Sequence, residues 1–152
     1  MKVLMVCLGN ICRSPLAEGI LRQKIEEKEI DNVFVDSCGT SDYHIGQTPD
    51  KRTQHNAIKH GTDLSNLRGR QFIRSDFDSF DKIFVMDSSN KDNVLALARN
   101  TKDKNKVELL LNISHPDKNL PVPDPYFGGP NGFEDVYLLI DAACEKLSES
   151  LR

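Results

Sequence analysis

The chain has 152 residues, 38% of them hydrophobic and 28% charged, a size that forms one domain with a conventional core and needs no disulfide staples. With 20 basic against 23 acidic side chains, it carries no global field to gather nucleic acid or an anionic membrane, so any anion site has to be local. No stretch reads as a membrane span, and Leu8 to Arg22 is too polar for a signal peptide, so the expectation is one domain over residues 1–152, a cytoplasmic location and reduced thiols at the 4 cysteines.

Lys2 to Val6, KVLMV, has the length and apolar content of a buried strand. Behind it, CLGNICRSP breaks the apolar run, and from Ser14 the period becomes helical. Leu16, Ala17, Ile20, Leu21 and Ile25 share one face, with Ser14 suited to the N-cap and Pro15 to the first turn. VFVDS (Val33 to Ser37) predicts a second strand, followed by a loop rich in Gly, Ser and Asp. A helix is predicted from about Asp50 to His60, stopped by Gly61. DKIFVMD (Asp81 to Asp87) is a third strand, Ser88 to about Arg99 a helix, and KVELLL (Lys106 to Leu111) a fourth strand. The proline-rich LPVPDPYFGGPNG then leads into a last helix from about Phe133 to Leu151. Strands alternating with helices predict an α/β fold, a parallel sheet covered by helices on both faces. Such sheets bind ligands beyond the carboxyl ends of their strands, where Cys7 to Arg13 and Cys38 to Asp50 both fall.

Between strand and helix, the main-chain N–H groups of Leu8, Gly9, Asn10, Ile11, Cys12 and Arg13 are placed to curl around one anion, with the helix dipole behind them. Gly9 and Asn10 tolerate the positive φ that a tight cradle demands. Arg13 adds a planar fork able to hold two phosphate oxygens. A thiol at Cys7 would be acidified there, because helix N-termini and cations favour the thiolate. Ser14 can donate a hydrogen bond to its sulfur. The loop is no nucleotide P-loop, since G-x-x-x-x-G-K-[ST] is absent, and Gly9 alone makes no dinucleotide fingerprint. C-x4-C spacing of Cys7 and Cys12 fits neither a redox C-x-x-C nor a zinc knuckle, so neither metal nor cofactor is expected.

A thiolate attacking a phosphate monoester needs an acid for the leaving oxygen. Asp124, held between Pro123 and Pro125, is the candidate, with Tyr126, Phe127 and, from the other strand-end loop, Tyr43 as walls for an aromatic ring. Cys12 is close enough in the chain for a reversible disulfide with Cys7. Cys38 and Cys144 read as structural, and His44, His55, His60 and His115 as solvated surface.

VCLGNICRSP, SDYHIG, FDKIFVMDSSN and DPYFGG together resemble the low-molecular-weight protein tyrosine phosphatases over essentially the whole chain. The resemblance implies a four-stranded parallel sheet, Cys7 as nucleophile through a phosphocysteine intermediate, Arg13 as phosphate ligand, and Asp124 as acid and then base. It implies that Asn10, Ser14 and Ser37 brace the loop by hydrogen bonds. Tyr43 stands where many members have tryptophan, and Asn66 where a histidine belongs to the bracing network. Ile11 stands where phosphoarginine phosphatases carry threonine, which disfavours phosphoarginine. The expected partners are tyrosine-phosphorylated proteins or peptides, acted on by a monomer without nucleic acid or membrane. A thiol-dependent arsenate reductase is the other enzymatic reading, but it needs a further pair of cysteines, and none lies between Cys38 and Cys144. A non-catalytic phosphate-binding module would need neither Asp124 nor an acidified thiol.

Overall fold

The computed structural model describes residues 1–152 except 128 and 130, with the backbone alone at 127. Four strands, β1 (Lys2–Cys7), β2 (Phe34–Gly39), β3 (Lys82–Val85) and β4 (Val107–Leu109), form one parallel sheet in the order β2-β1-β3-β4. Val3 to Cys7 are all buried, as an uninterrupted apolar run must be in a strand flanked on both edges and covered on both faces. Alternation along β1 divides the core. Val3 and Met5 pack in one cluster with α1 (Arg13–Glu27) and α7 (Gly132–Ser150), the helix that ends the chain. Leu4 and Val6 pack in the other with Phe77, on the short α3 (Asp76–Ser79), and Val94, on α4 (Ser88–Leu95). Helices therefore cover both faces, as the alternating pattern predicts. Among the described residues, no helix is long and apolar enough to cross a membrane.

Several boundaries move for identifiable reasons. α1 starts at Arg13, with Cys12 at the N-cap position, because the Ser14 hydroxyl is turned inward to Asn10, Cys7 and the Cys38 carbonyl and is not capping. β2 runs two residues past Ser37, since Gly39 still pairs with Cys7. The predicted third strand loses its ends: Asp81 accepts from the Lys2 N–H, and Asp87 caps α4 by accepting from the Asn90 N–H. α4 stops at Leu95. Arg99, expected in its last turn, instead gives its main-chain N–H and its guanidinium to Asp103 of the short α5 (Thr101–Asn105). Leu110 and Leu111 leave the sheet to enter α6 (Leu111–Ser114), which buries both against the α7 side. α2 (Lys51–Lys59) follows the predicted span closely, capped by Asp50 and closed by Gly61 at φ 82.

Sheet order fixes where a ligand can bind. The chain leaves β1 for β2 on one side and returns to β3 on the other, so the crossovers diverge at the carboxyl end of β1. Cys7 is the last residue of that strand.

Candidate active site

The loop from Leu8 to Cys12 connects β1 to α1 over the sheet's carboxyl edge. Asn10 adopts φ 55, in the left-handed region that asparagine enters more readily than most residues. Every polar atom of its side chain is used. Its amide donates to the Ser14 and Ser37 hydroxyls at 2.8 and 3.0 Å, and its carbonyl accepts from the Arg70 main-chain N–H at 3.1 Å. Ser37 in turn donates to Glu18 at 2.6 Å, and Arg22 pairs with the other oxygen of the same carboxylate. Ser14 Oγ lies 3.0 Å from Cys7 Sγ, so a continuous chain of bonds joins the cysteine to α1 and β2. Burial pushes the Glu18 carboxyl up from its ordinary range, opposed by the Ser37 hydroxyl and by Arg22.

Three contacts hold the outside of the loop. Thr40 and Ser41 donate their main-chain N–H groups to the Cys7 and Leu8 carbonyls, and Asp50 donates to the Ile11 carbonyl at 2.8 Å. Gly39 lets the loop lie this close to β2. A Cβ there would sit 2.7 Å from the Leu8 carbonyl oxygen and 3.1 Å from the Asn10 nitrogen. Among the described residues, none of the main-chain N–H groups from Leu8 to Cys12 donates to a protein acceptor, which leaves them as donors for an anion.

Arg13, on the first turn of α1, is 4% exposed. Its Nη1 donates to Asp87 Oδ2 at 2.7 Å and to the Val122 carbonyl at 3.0 Å, while Nη2 stands 3.9 Å from Asp124 Oδ2. Asp87 therefore has two tasks, capping α4 and orienting the guanidinium. With Nη1 committed, the Nε and Nη2 edge is the fork left for two anion oxygens. The other Asp124 oxygen accepts from the Tyr126 N–H at 3.0 Å, a turn that fixes the carboxyl at the rim.

Cys7, Arg13 and Asp124 line one cleft of about 220 Å³ together with Leu8, Gly9, Ile11 and Cys12. Tyr43 and Tyr126 form its exposed walls, 70% and 56% accessible. The side chain of Phe127 lies outside the described residues. His44, half-buried, lines the cleft beside Gly9 with its Nδ1 on Gln47 and so departs from the solvated surface expected of it, whereas His60 is exposed as expected, stacked on Tyr137 and paired with Glu134. Asn66 is exposed, and the acceptor on Asn10 is filled by the Arg70 main chain instead. All four cysteines are free thiols. Burial, aided by the charges of Asp50, Cys7 and Asp124 and opposed by the Thr53 hydroxyl, pushes Cys12 up to about 12.

Glu18, Gly39, Asp87 and Arg70 are absent from the sequence reading of the site. A carboxylate four residues after Ser14, hence on the same side of α1, and an aspartate placed between a strand and Ser-Ser-Asn were the available signals for two of them.

Residues 2–152 match the family model described as low molecular weight phosphotyrosine protein phosphatase. The low molecular weight phosphotyrosine protein phosphatase of Schizosaccharomyces pombe is 43% identical over 143 residues, covering 92% of this chain and 90% of its own. Among solved structures, a protein tyrosine phosphatase from Entamoeba histolytica superposes with a TM-score of 0.92 at 38% identity, covering 99% of this chain and 96% of its own. The Drosophila arginine phosphatase does so with a TM-score of 0.90 at 35% identity, covering 99% and 97%. Bracketed by those matches in sequence and in architecture, the chain belongs to the low molecular weight phosphotyrosine protein phosphatase family.

Proposed function

We propose that this phosphatase hydrolyses phosphotyrosine in proteins or peptides, with Cys7, Arg13 and Asp124 as its catalytic residues. The supporting observation is their meeting in one cleft from distant parts of the sequence, beside main-chain amides that have no protein acceptor among the described residues. The Cys7 thiolate attacks phosphorus, forming a sulfur–phosphorus bond as the bond to the tyrosine oxygen breaks. Asp124 gives its proton to that oxygen. The loop amides and the Arg13 fork hold the equatorial oxygens and neutralise the charge that builds on them. Water then attacks the phosphocysteine while Asp124 takes its proton, releasing inorganic phosphate and regenerating the thiolate. Ser14 donates to the departing sulfur, and Asn10 and Ser37 hold the loop in register. Tyr43 and Tyr126 receive the substrate ring.

Cys7→Ser is expected to abolish turnover of a phosphotyrosine peptide while phosphate still binds. Asp124→Ala is expected to slow turnover about 10² to 10⁴-fold. Wild-type rates in either variant would remove that residue from the mechanism. The similarity to an arginine phosphatase makes phosphoarginine the second reading. Ile11, which lines the cleft, narrows the space available to that substrate. A panel of phosphotyrosine, phosphoserine and phosphoarginine peptides separates them, and faster turnover of phosphoarginine would reverse the assignment.

A further inference from the structure

Beside the catalytic cleft runs an open groove of about 670 Å³, with α2 as one wall and Pro125 and Phe133 on the other. Lys51, His55 and Lys59 recur at intervals of four residues, so they form one exposed stripe along α2. At 1.5 Å per residue the stripe is about 12 Å long, the reach of about four residues of extended peptide. Arg52 lies between this groove and the active site. Its guanidinium, held by Asp50 at 3.0 Å, sits 5.0 Å from the centre of the Tyr126 ring and 4.8 Å from that of Phe133. Tyr126 is also a wall of the catalytic cleft, which makes the two depressions neighbours across one ring.

Charge distinguishes this face. The whole chain carries a net charge of -3, yet among the described residues no carboxylate lines the groove. Three carboxylates lie nearby, and each is engaged: Asp63, which shares the adjoining depression with Lys51 and His55, accepts from the Ser65 N–H. Asp50 holds Arg52, and Glu134, whose charge Lys59 feels, accepts from Asn56 and His60. Neither Lys51 nor Lys59 has an ion pair among the described residues.

We propose that this stripe binds acidic residues flanking the phosphotyrosine of the substrate, so that the enzyme prefers tyrosines set in acidic sequence. The proposal rests on the phosphotyrosine reading above and adds to it a recognition element outside the reacting centre. A peptide whose phosphorylated ring lies between Tyr43 and Tyr126 leaves the cleft over Tyr126 and meets the lysines directly. The attraction is between solvent-exposed charges, so it is modest and weakens with salt.

The test compares kcat/KM for phosphotyrosine peptides carrying four aspartates before the tyrosine, four after it, or asparagines in the same places. At low ionic strength at least one acidic peptide is expected to be turned over about three- to tenfold more efficiently than its neutral counterpart, with the gap closing as salt is raised. In Lys51→Gln/Lys59→Gln the gap is expected to fall below about twofold. Hydrolysis of p-nitrophenyl phosphate, which reaches no further than the cleft, should stay unchanged in that variant. Equal efficiency for acidic and neutral peptides in the wild type would overturn the proposal alone, as would an undiminished preference in the double variant. Failure to hydrolyse any phosphotyrosine peptide would overturn the phosphotyrosine reading and this proposal with it.

Discussion

Asn10 and Glu18 illustrate how far one side chain's behaviour can be read before folding is known. Asparagine in a loop between strand and helix announces a positive φ, and Asn10 has it. Glu18 announces nothing of the kind, because a carboxylate on a helix is usually solvated. It is 3% exposed, held by Ser37 and Arg22 at the far end of the bond chain that starts at Cys7. Its carboxyl is raised above the ordinary 4.5, chiefly by burial. The folded state therefore binds this proton more tightly than the unfolded chain, and the group's contribution to stability is present in full at low pH and falls as pH rises past 4.5. Urea unfolding of wild type and Glu18→Gln, compared from pH 4.5 upward, should show the wild type losing ground to the variant as pH rises. A constant difference would mean that the carboxyl titrates normally.

The strand, loop and helix that carry Cys7 and Arg13 were legible from their spacing, since the change from a continuous apolar run to a helical period falls within a few residues. The elements that meet them were less so. β2 was expected to end at Ser37, but its last residue, Gly39, is the one over which the loop from Leu8 to Cys12 is laid. Gly39→Ala would drive a methyl group against the Leu8 carbonyl and the Asn10 nitrogen, both main-chain atoms with no flexible end to swing away. A displacement of even ~1 Å at a reacting centre costs on the order of 10²-fold in rate. Gly39→Ala is therefore expected to lower kcat/KM for p-nitrophenyl phosphate by about that factor while far-UV circular dichroism stays native. Unaltered kinetics would show that the loop does not need this approach. The short α3, α5 and α6 had no periodic signature, because five residues or fewer cannot display one.

Two half-cores, one on each face of the sheet, hold these pieces together. On the larger face α7 packs against α1, and Ile140, 0% exposed, lies in the same cluster as Leu21 and Met5. Truncation there removes apolar contact and leaves a hole that rigid neighbours fill poorly. Ile140→Ala is expected to cost about 2–5 kcal/mol, a large part of the roughly 5–15 kcal/mol that holds such a domain folded. Chemical denaturation should register the loss directly. Turnover well below the melting temperature should be unaffected, since Ile140 does not line the cleft; a proportional loss of kcat would show that the core and the loop are coupled.

The amino-acid order was enough to single out the loop of Cys7 to Arg13, the parallel sheet and Asp124 between two prolines, which the fold brings to one cleft. Each of these is written in a few contiguous residues whose chemistry depends on neighbours along the chain. Folding had to supply the rest: Asp87 from the cap of α4 against Arg13, the Arg70 main chain against Asn10, Glu18 beneath Ser37, and the basic face of α2 beside the cleft. These pairings join residues far apart in sequence or turned by packing into the interior. Distance along a chain says nothing of distance across a sheet edge until strand order and helix packing have been fixed.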